Sequence, residues 1–443
     1  MNKSPLALAV TLGVLTQQAG AAGFIEDSKA TLGLRNFYFD NDIRESQNAS
    51  GQNEEWGQGF QLNFTSGFTQ GTVGVGVDAL GLLGVRLDSG GRAGKPGIDR
   101  TPGQLFPLDS DGSAEDEFSH LGLTGKLRVS KTEVRYGTLL PKLPILVHND
   151  GRLLPQTFEG GLITSNEIDK LTLTAGLIEH AVGRASTDDT GLAVVGGTQE
   201  SNHFWFAGGD WKPTPELTAQ YYYANLDDYY KQHFAGLLHV LALCDNQSLN
   251  TDLRYFRTDA DGANSSAAGR AEGYRASGYT RNGTGEIDNN TWSAAFTYSL
   301  GAHAFTLGHQ RVSKNSNFVQ LNQSSLVDKG ATGATTYLLT DRQINSFTRA
   351  GERTSFAEYA YDFVGLGGPG LKDTMAYLKG TNIKTVSGSD QQEWERDFRL
   401  DYTLQGGPLK GVNVSWRNAS LRSEAVNDVD QNRLIVSYSL PLL

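Results

Sequence analysis

The sequence predicts an all-β chain: a transmembrane antiparallel β-barrel of about eighteen strands with one loop folded into its lumen. Three observations predict it. Short runs of alternating apolar and polar residues recur to the last residue. The gaps between them alternate between tight turns and long polar loops. The N-terminus reads as an export signal.

Lys3 supplies a positive start, Leu6 to Leu15 an apolar stretch, and Ala19-Gly20-Ala21 a small-residue cleavage site. Residues 1–21 are therefore read as a signal peptide, and residues 22–443 as one outer-membrane barrel. No other stretch approaches the roughly 18 unbroken apolar residues of a membrane helix. The single cysteine, Cys244, excludes an intramolecular disulfide framework and falls near a tight turn. With 38 Lys and Arg against 49 Asp and Glu, the net charge of -11 argues against nucleic acid as a partner.

Thr72 to Asp88 shows the strand pattern. Val73, Val75, Val77, Ala79, Leu83, Val85 and Leu87 share one face; Gly74, Gly76, Asp78, Gly84 and Arg86 share the other. A membrane barrel needs this alternation because one face meets lipid and the other a watery lumen. Tight turns are expected near residues 66–70, 130–132, 169, 212–216, 243–247, 301, 365–370 and 405–408, most of them holding Gly, Pro, Asp or Asn. Longer polar stretches fall near 40–55, 88–117, 139–160, 179–202, 225–228, 258–289, 313–352, 380–392 and 422–431. Seventeen connections join eighteen strands and leave both chain ends on the short-turn, periplasmic side. Toward the C-terminus Phe398, Leu400, Tyr402 and Leu404 share a face, as do Val412, Val414 and Trp416, and Leu434, Val436, Tyr438 and Leu440. These are expected to meet outer-membrane lipid and lipopolysaccharide. A soluble sandwich or solenoid explains neither the turn and loop asymmetry nor the length.

With the apolar faces turned to lipid, basic residues remain inside. Arg399 lies between Asp397 and Asp401, Arg417 between Ser415 and Ala419, and Arg433 beside Ile435 and Ser437. Arg35 is inward if Leu32 and Leu34 bracket the lipid face, although Phe37 and Phe39 share its parity. Arg86, Lys126, Arg128, Arg135 and Arg254 are also on polar faces. An arginine facing lipid near the midplane costs about 2–4 kcal/mol, so the lumen is the expected place. Such arginines either pair with lumenal carboxylates or offer an anion successive weak sites, since a guanidinium keeps its charge and grips a carboxylate with two donors. The stretch Leu139 to Gly160 is too apolar for an exposed loop. Folding inward covers it, narrows the pore and sets Arg152 at the constriction. On this reading Arg152, Arg417 and Arg433 touch water, and alanine at each leaves folding nearly intact.

Several stretches resemble the OprD-type outer-membrane carboxylate channels (the Occ family) of pseudomonads. They are GFIEDSKATLGLRNFYFDND (Gly23 to Asp42), WGQGFQLNFTSGFTQGTVGVGVDALGLLGVRLD (Trp56 to Asp88), KLRVSKTEVRYG, RLLPQT (Arg152 to Thr157), DNQSLNTDLRYFRTDADG, QGGPLKGVNVSWRNASLR and NRLIVSYSLPLL. The resemblance spans the mature chain. It implies a monomeric barrel with a narrow eyelet shaped by infolded loops, and a ladder of basic residues that guides small carboxylate-bearing solutes. It assigns Arg152, Arg417 and Arg433 to ladder positions and, more loosely, Arg35, Arg128, Arg135 and Arg399. Ser415 stands where some members have a further arginine, which points to the vanillate and benzoate subgroup. Asp288 is the candidate for an acidic eyelet residue, with a plain loop aspartate as its alternative.

The competing function is an enzyme on a barrel scaffold, a protease or lipase. No HExxH or GxSxG motif is present, the histidines are scattered, and neither catalysis nor a cofactor is expected. A loop-based adhesin is the third reading. The acidic Leu108 to Phe118 could hold Ca²⁺, but it lacks full EF-hand spacing and reads first as a solvated loop.

Overall fold

Eighteen strands form the wall in this computed structural model, which describes residues 23–44, 51–93, 100–321 and 335–443. The signal-peptide assignment lies outside the described residues. In chain order the strands are β1 (Lys29–Ile43), β2 (Gln52–Thr65), β3 (Val73–Ser89), β4 (Glu117–Val129), β5 (Thr132–Leu139), β6 (Thr157–Ser165), β7 (Leu171–Val182), β8 (Phe204–Thr214) and β9 (Leu217–Leu226). They continue with β10 (Tyr230–Cys244), β11 (Gln247–Ala260), β12 (Asp288–Leu300), β13 (His303–Val312), β14 (Arg353–Asp362), β15 (Leu371–Ile383), β16 (Gln391–Thr403), β17 (Asn413–Ser423) and β18 (Val429–Pro441). Each pairs antiparallel with its neighbours in sequence. β1 and β18 close the ring, from Thr31 opposite Pro441 to Ile43 opposite Val429. Closure leaves no open sheet edge, as a lipid environment requires.

The eight tight turns and nine long loops fall where the sequence places them. The outward face is apolar: Val73, Val75, Leu121, Leu123, Leu127, Leu173 and Leu307 are all exposed. Aromatic side chains flank this band, among them Trp56, Trp205, Trp292 and Tyr377 on the side of the long loops. No helix among the described residues is long and apolar enough to cross a membrane; the strands do so.

The inner face is not uniformly polar, because loops fold onto it and bury it. Ile145, Leu146 and Phe318 from the loops, with Leu139 at the end of β5, pack with Phe206, Tyr222, Phe234 and Phe256 from strands β8 to β11. A second cluster joins Leu153 and Leu154 to Phe37, Phe39, Leu80, Leu82, Leu105 and Phe106. It resolves the register of β1: Arg35, Phe37 and Phe39 all point inward, and the two phenylalanines are covered by loops instead of lipid. Gly57 and Gly59 on β2 make this possible. A Cβ at Gly57 would sit 2.6 Å from Phe106 Cζ and 2.8 Å from Leu153 Cδ2, and one at Gly59 would sit 3.0 Å from the Leu153 carbonyl oxygen. The loop of residues 140–156 therefore folds inward and reaches the wall formed by β16, β17, β18 and β1, where Asp150 meets Arg35.

Candidate conduction pathway

That wall carries a row of arginines set by strand register. Arg399 on β16 is the direct partner of Arg417 on β17, which is the direct partner of Arg433 on β18. Arg433 in turn lies opposite Phe39 on β1. Like charges in direct register repel, so the row stores unfavourable energy unless an anion or a carboxylate relieves it. Relief is uneven. Arg399 pairs with Asp401 at 2.5 Å. Arg35, four residues before Phe39, pairs with Asp150 of the infolded loop at 2.7 Å. Among the described residues, no carboxylate oxygen lies within ion-pairing distance of Arg152, Arg417 or Arg433. Arg417 donates from Nε to Ser415 Oγ at 3.2 Å, a neutral acceptor.

Arg152 and Arg433 are mostly buried, at 8% and 4% exposure. Their guanidinium groups stack on the Phe39 ring, 4.6 and 5.8 Å from its centre. Arg152 donates to the Gly151 carbonyl at 3.0 Å and to Gln104 Oε1 at 3.3 Å. Arg433 donates to the Gln343 carbonyl at 2.6 Å and to Gln431 Oε1 at 2.7 Å. This corrects the expectation that each is water-exposed and dispensable for packing. The cause is the second infolded loop, whose described residues 335–352 pack on the inner wall and set the Gln343 carbonyl against Arg433. Arg184, on the loop after β7, joins the same group. Burial, then the charges of Arg184 and Arg433, pushes the Arg152 guanidinium well below its ordinary range. Burial brings Arg184 down to about 10. A guanidinium keeps its charge in a protein, so the site holds positive potential that an anion would relieve.

Carboxylates on the inner face hold the loops. Glu395 is fully buried and accepts the backbone N–H groups of Gln343, Ile344 and Asn345 at 3.2, 2.9 and 2.8 Å. Glu393 accepts from Asn345 and pairs with Arg349 at 2.7 Å. Glu55 accepts the N–H groups of Gln104 and Leu105 at 2.6 and 2.8 Å, fastening the loop after β3. Sequence reasoning missed these clamps and Arg184. The alternation Glu393, Glu395, Asp397 on one face was the available signal for the clamps. Arg184 sits in a long loop without periodicity, so nothing local marks it.

The other candidates lie elsewhere. Arg128 is inward near the periplasmic end of β4 and stacks on Phe68, 4.1 Å from the ring centre. Arg135, opposite Lys126, is inward and paired with Glu133. Neither joins the row. Asp288 is not at an eyelet: it shares the outward parity of Trp292 at the extracellular end of β12, and binds Arg257 at 3.0 Å and Asn315 at 2.6 Å. The acids that pair directly with the row and its neighbour are Asp401, on Arg399, and Asp150, on Arg35. In the acidic loop Asp111 accepts from Ser113 and pairs with Arg92, which makes it a turn-capping residue. A lumenal cavity of about 270 Å³ lies beside Arg35, Gln61, Leu153 and Asn413.

Comparison with known proteins agrees with the barrel fold. Residues 22–442 match the model of the outer membrane porin, OprD family. The chain is 38% identical to the porin-like protein GalP of Pseudomonas putida over 97% of this chain and 96% of that protein. It is 34% identical to Porin D of Pseudomonas aeruginosa over 100% and 99%. Among solved structures, Pseudomonas aeruginosa OccK8 (OprE) is 51% identical with a TM-score of 0.86, covering 95% of this chain and 100% of that one. Pseudomonas aeruginosa OpdK with vanillate is 39% identical with a TM-score of 0.82 over the same shares.

Proposed function

The chain belongs to the OprD family of outer-membrane porins, and from that premise we propose that it passes small carboxylate-bearing solutes, including aromatic carboxylates such as benzoate and vanillate, passively along the arginine row. The observation that carries this reading is the register-aligned set of Arg399, Arg417 and Arg433, in which Arg417 and Arg433 have no carboxylate partner among the described residues. A solute carboxylate accepts from Arg417, relieves its repulsion with the neighbouring arginines, and moves on because no single site neutralises it fully. Conduction needs that balance of entry and release. Asp150 and Asp401 keep Arg35 and Arg399 from becoming traps. Arg152 and Arg433 act from behind, by raising the potential and by holding the loops. Arg128 and Arg135 extend the basic wall toward the periplasm. The solved relative with vanillate supports the solute class. One chain closes its own barrel, so a monomer suffices.

The test is uptake into liposomes. Benzoate is expected to enter faster than benzyl alcohol through the reconstituted channel, in bilayers that hold back both without it, and the ratio should fall with added salt. Equal rates at low salt would remove the carboxylate preference and leave a non-selective porin.

A further inference from the structure

The outer wall carries a second set of uncompensated cations, where lipid and not solute would meet them. Arg311 on β13 and Arg353 on β14 are direct partners and share the outward face with Leu307 and Tyr359. Lys379 on β15 lies opposite Ser355, the next outward position on β14. Arg396 on β16 lies opposite Tyr377. All four are exposed. Among the described residues none has a carboxylate within ion-pairing distance. Arg396 donates to Asn418 Oδ1 at 2.8 Å and Ser420 Oγ at 3.1 Å, both neutral. Along the same rim Asp430 is held by Arg422 at 2.9 Å, and Glu424 accepts from Gln392 at 3.1 Å.

Depth decides what such a patch can meet. Arg311 lies one residue before the end of β13 and Arg353 begins β14, on either side of the long extracellular loop. Trp292 packs its ring 5.6 Å from His309, and Tyr377 stacks on Trp394 at 5.8 Å, so aromatic side chains lie among the cations. Exposed Leu307, Phe305 and Met375 continue toward the midplane. This sequence of cations, aromatic rings and then apolar side chains is that of an outer-leaflet interface. An Arg311–Arg353 pair in direct register is unfavourable without a counter-anion. Guanidinium groups at headgroup depth take phosphate with paired donors.

We propose that the outer face of β13 to β16 binds the phosphate groups of a phosphorylated glycolipid of the outer leaflet, with Arg311, Arg353, Lys379 and Arg396 as its ligands. Adjacent strands lie about 5 Å apart, so four neighbouring strands present the cations across a span that fits one headgroup bearing more than one phosphate. The acyl chains then lie against Leu307, Phe305 and Met375.

The test titrates the full chain in detergent micelles with lipopolysaccharide, with the same lipid chemically dephosphorylated, and with inorganic phosphate. Binding is read from intrinsic tryptophan fluorescence. The phosphorylated lipid is expected to bind at least about tenfold more tightly than the dephosphorylated one, with inorganic phosphate much weaker than either the intact lipid or its charge would suggest for a free-anion site. The variant R311Q/R353Q/K379Q/R396Q should lose that tenfold preference while keeping its benzoate flux, which reports an intact barrel. Lys231→Gln, on the outer face of β10, should behave as the unmodified protein. Equal binding of the two lipids by the unmodified protein would overturn the proposal whether or not the variant folds. So would inorganic phosphate matching the lipid, or a folded variant that keeps the preference.

Discussion

Replacing Arg433 with alanine separates holding the constriction from guiding the solute. Arg433 is 4% exposed and makes two short charge-assisted hydrogen bonds, to the Gln343 carbonyl and to Gln431. Its third contact, to Gly151 at 3.5 Å, is too long to add much. Two bonds of this type are worth about 3–6 kcal/mol together. Against them stands the repulsion from Arg417 and Arg184, about 1 kcal/mol each, which the substitution relieves. The balance is a loss of about 2 kcal/mol. It should appear locally, because Arg433 ties the loop segment of residues 335–352 to the wall and the barrel ladder is untouched. Hydrogen exchange at the amides of Gln343, Ile344 and Asn345 should quicken by about 30-fold. Single-channel conductance should rise and the benzoate preference should fall. Unchanged exchange and unchanged conductance in a normally folded variant would refute the assignment of Arg433 as a loop tether.

Two further substitutions separate the remaining roles. Arg417→Ala should leave folding unchanged, since among the described residues its side chain donates only to the neutral Ser415 hydroxyl, and should slow benzoate uptake about fourfold at low salt; that factor corresponds to about 0.8 kcal/mol for a unit charge 5 Å from the anion in a water-like medium. A loss that persists at high salt would point to a packing defect instead. Gly57→Leu should displace the loops that narrow the lumen, because even a Cβ there meets Phe106 and Leu153 at under 3 Å; larger conductance from an intact barrel is the expected result, and an unaltered conductance would show that the loops do not form the constriction.

The sequence by itself determined the wall. Alternation with period two assigns each strand a lipid face and a lumen face, and alternating short and long gaps count the strands and orient them. Those are local signals, and Thr72 to Asp88 already contains both faces. Register then follows, which is why Arg399, Arg417 and Arg433 could be named as inward. What alternation does not encode is what covers an inward residue. Phe37 and Phe39 looked out of place on a polar face because their partners, Leu153 and Leu154, lie more than a hundred residues away. Arg152 and Arg433 looked free for the same reason, and Asp288 looked lumenal because nothing local told its face from that of Asn289. Only the tertiary structure decided these. Loop placement rests on long-range contacts, with Glu395 gripping Gln343 to Asn345 and Glu55 gripping Gln104 and Leu105, and such contacts have no period along the chain. The barrel is written in neighbouring residues, whereas the pore depends on which distant loops the inner wall can hold.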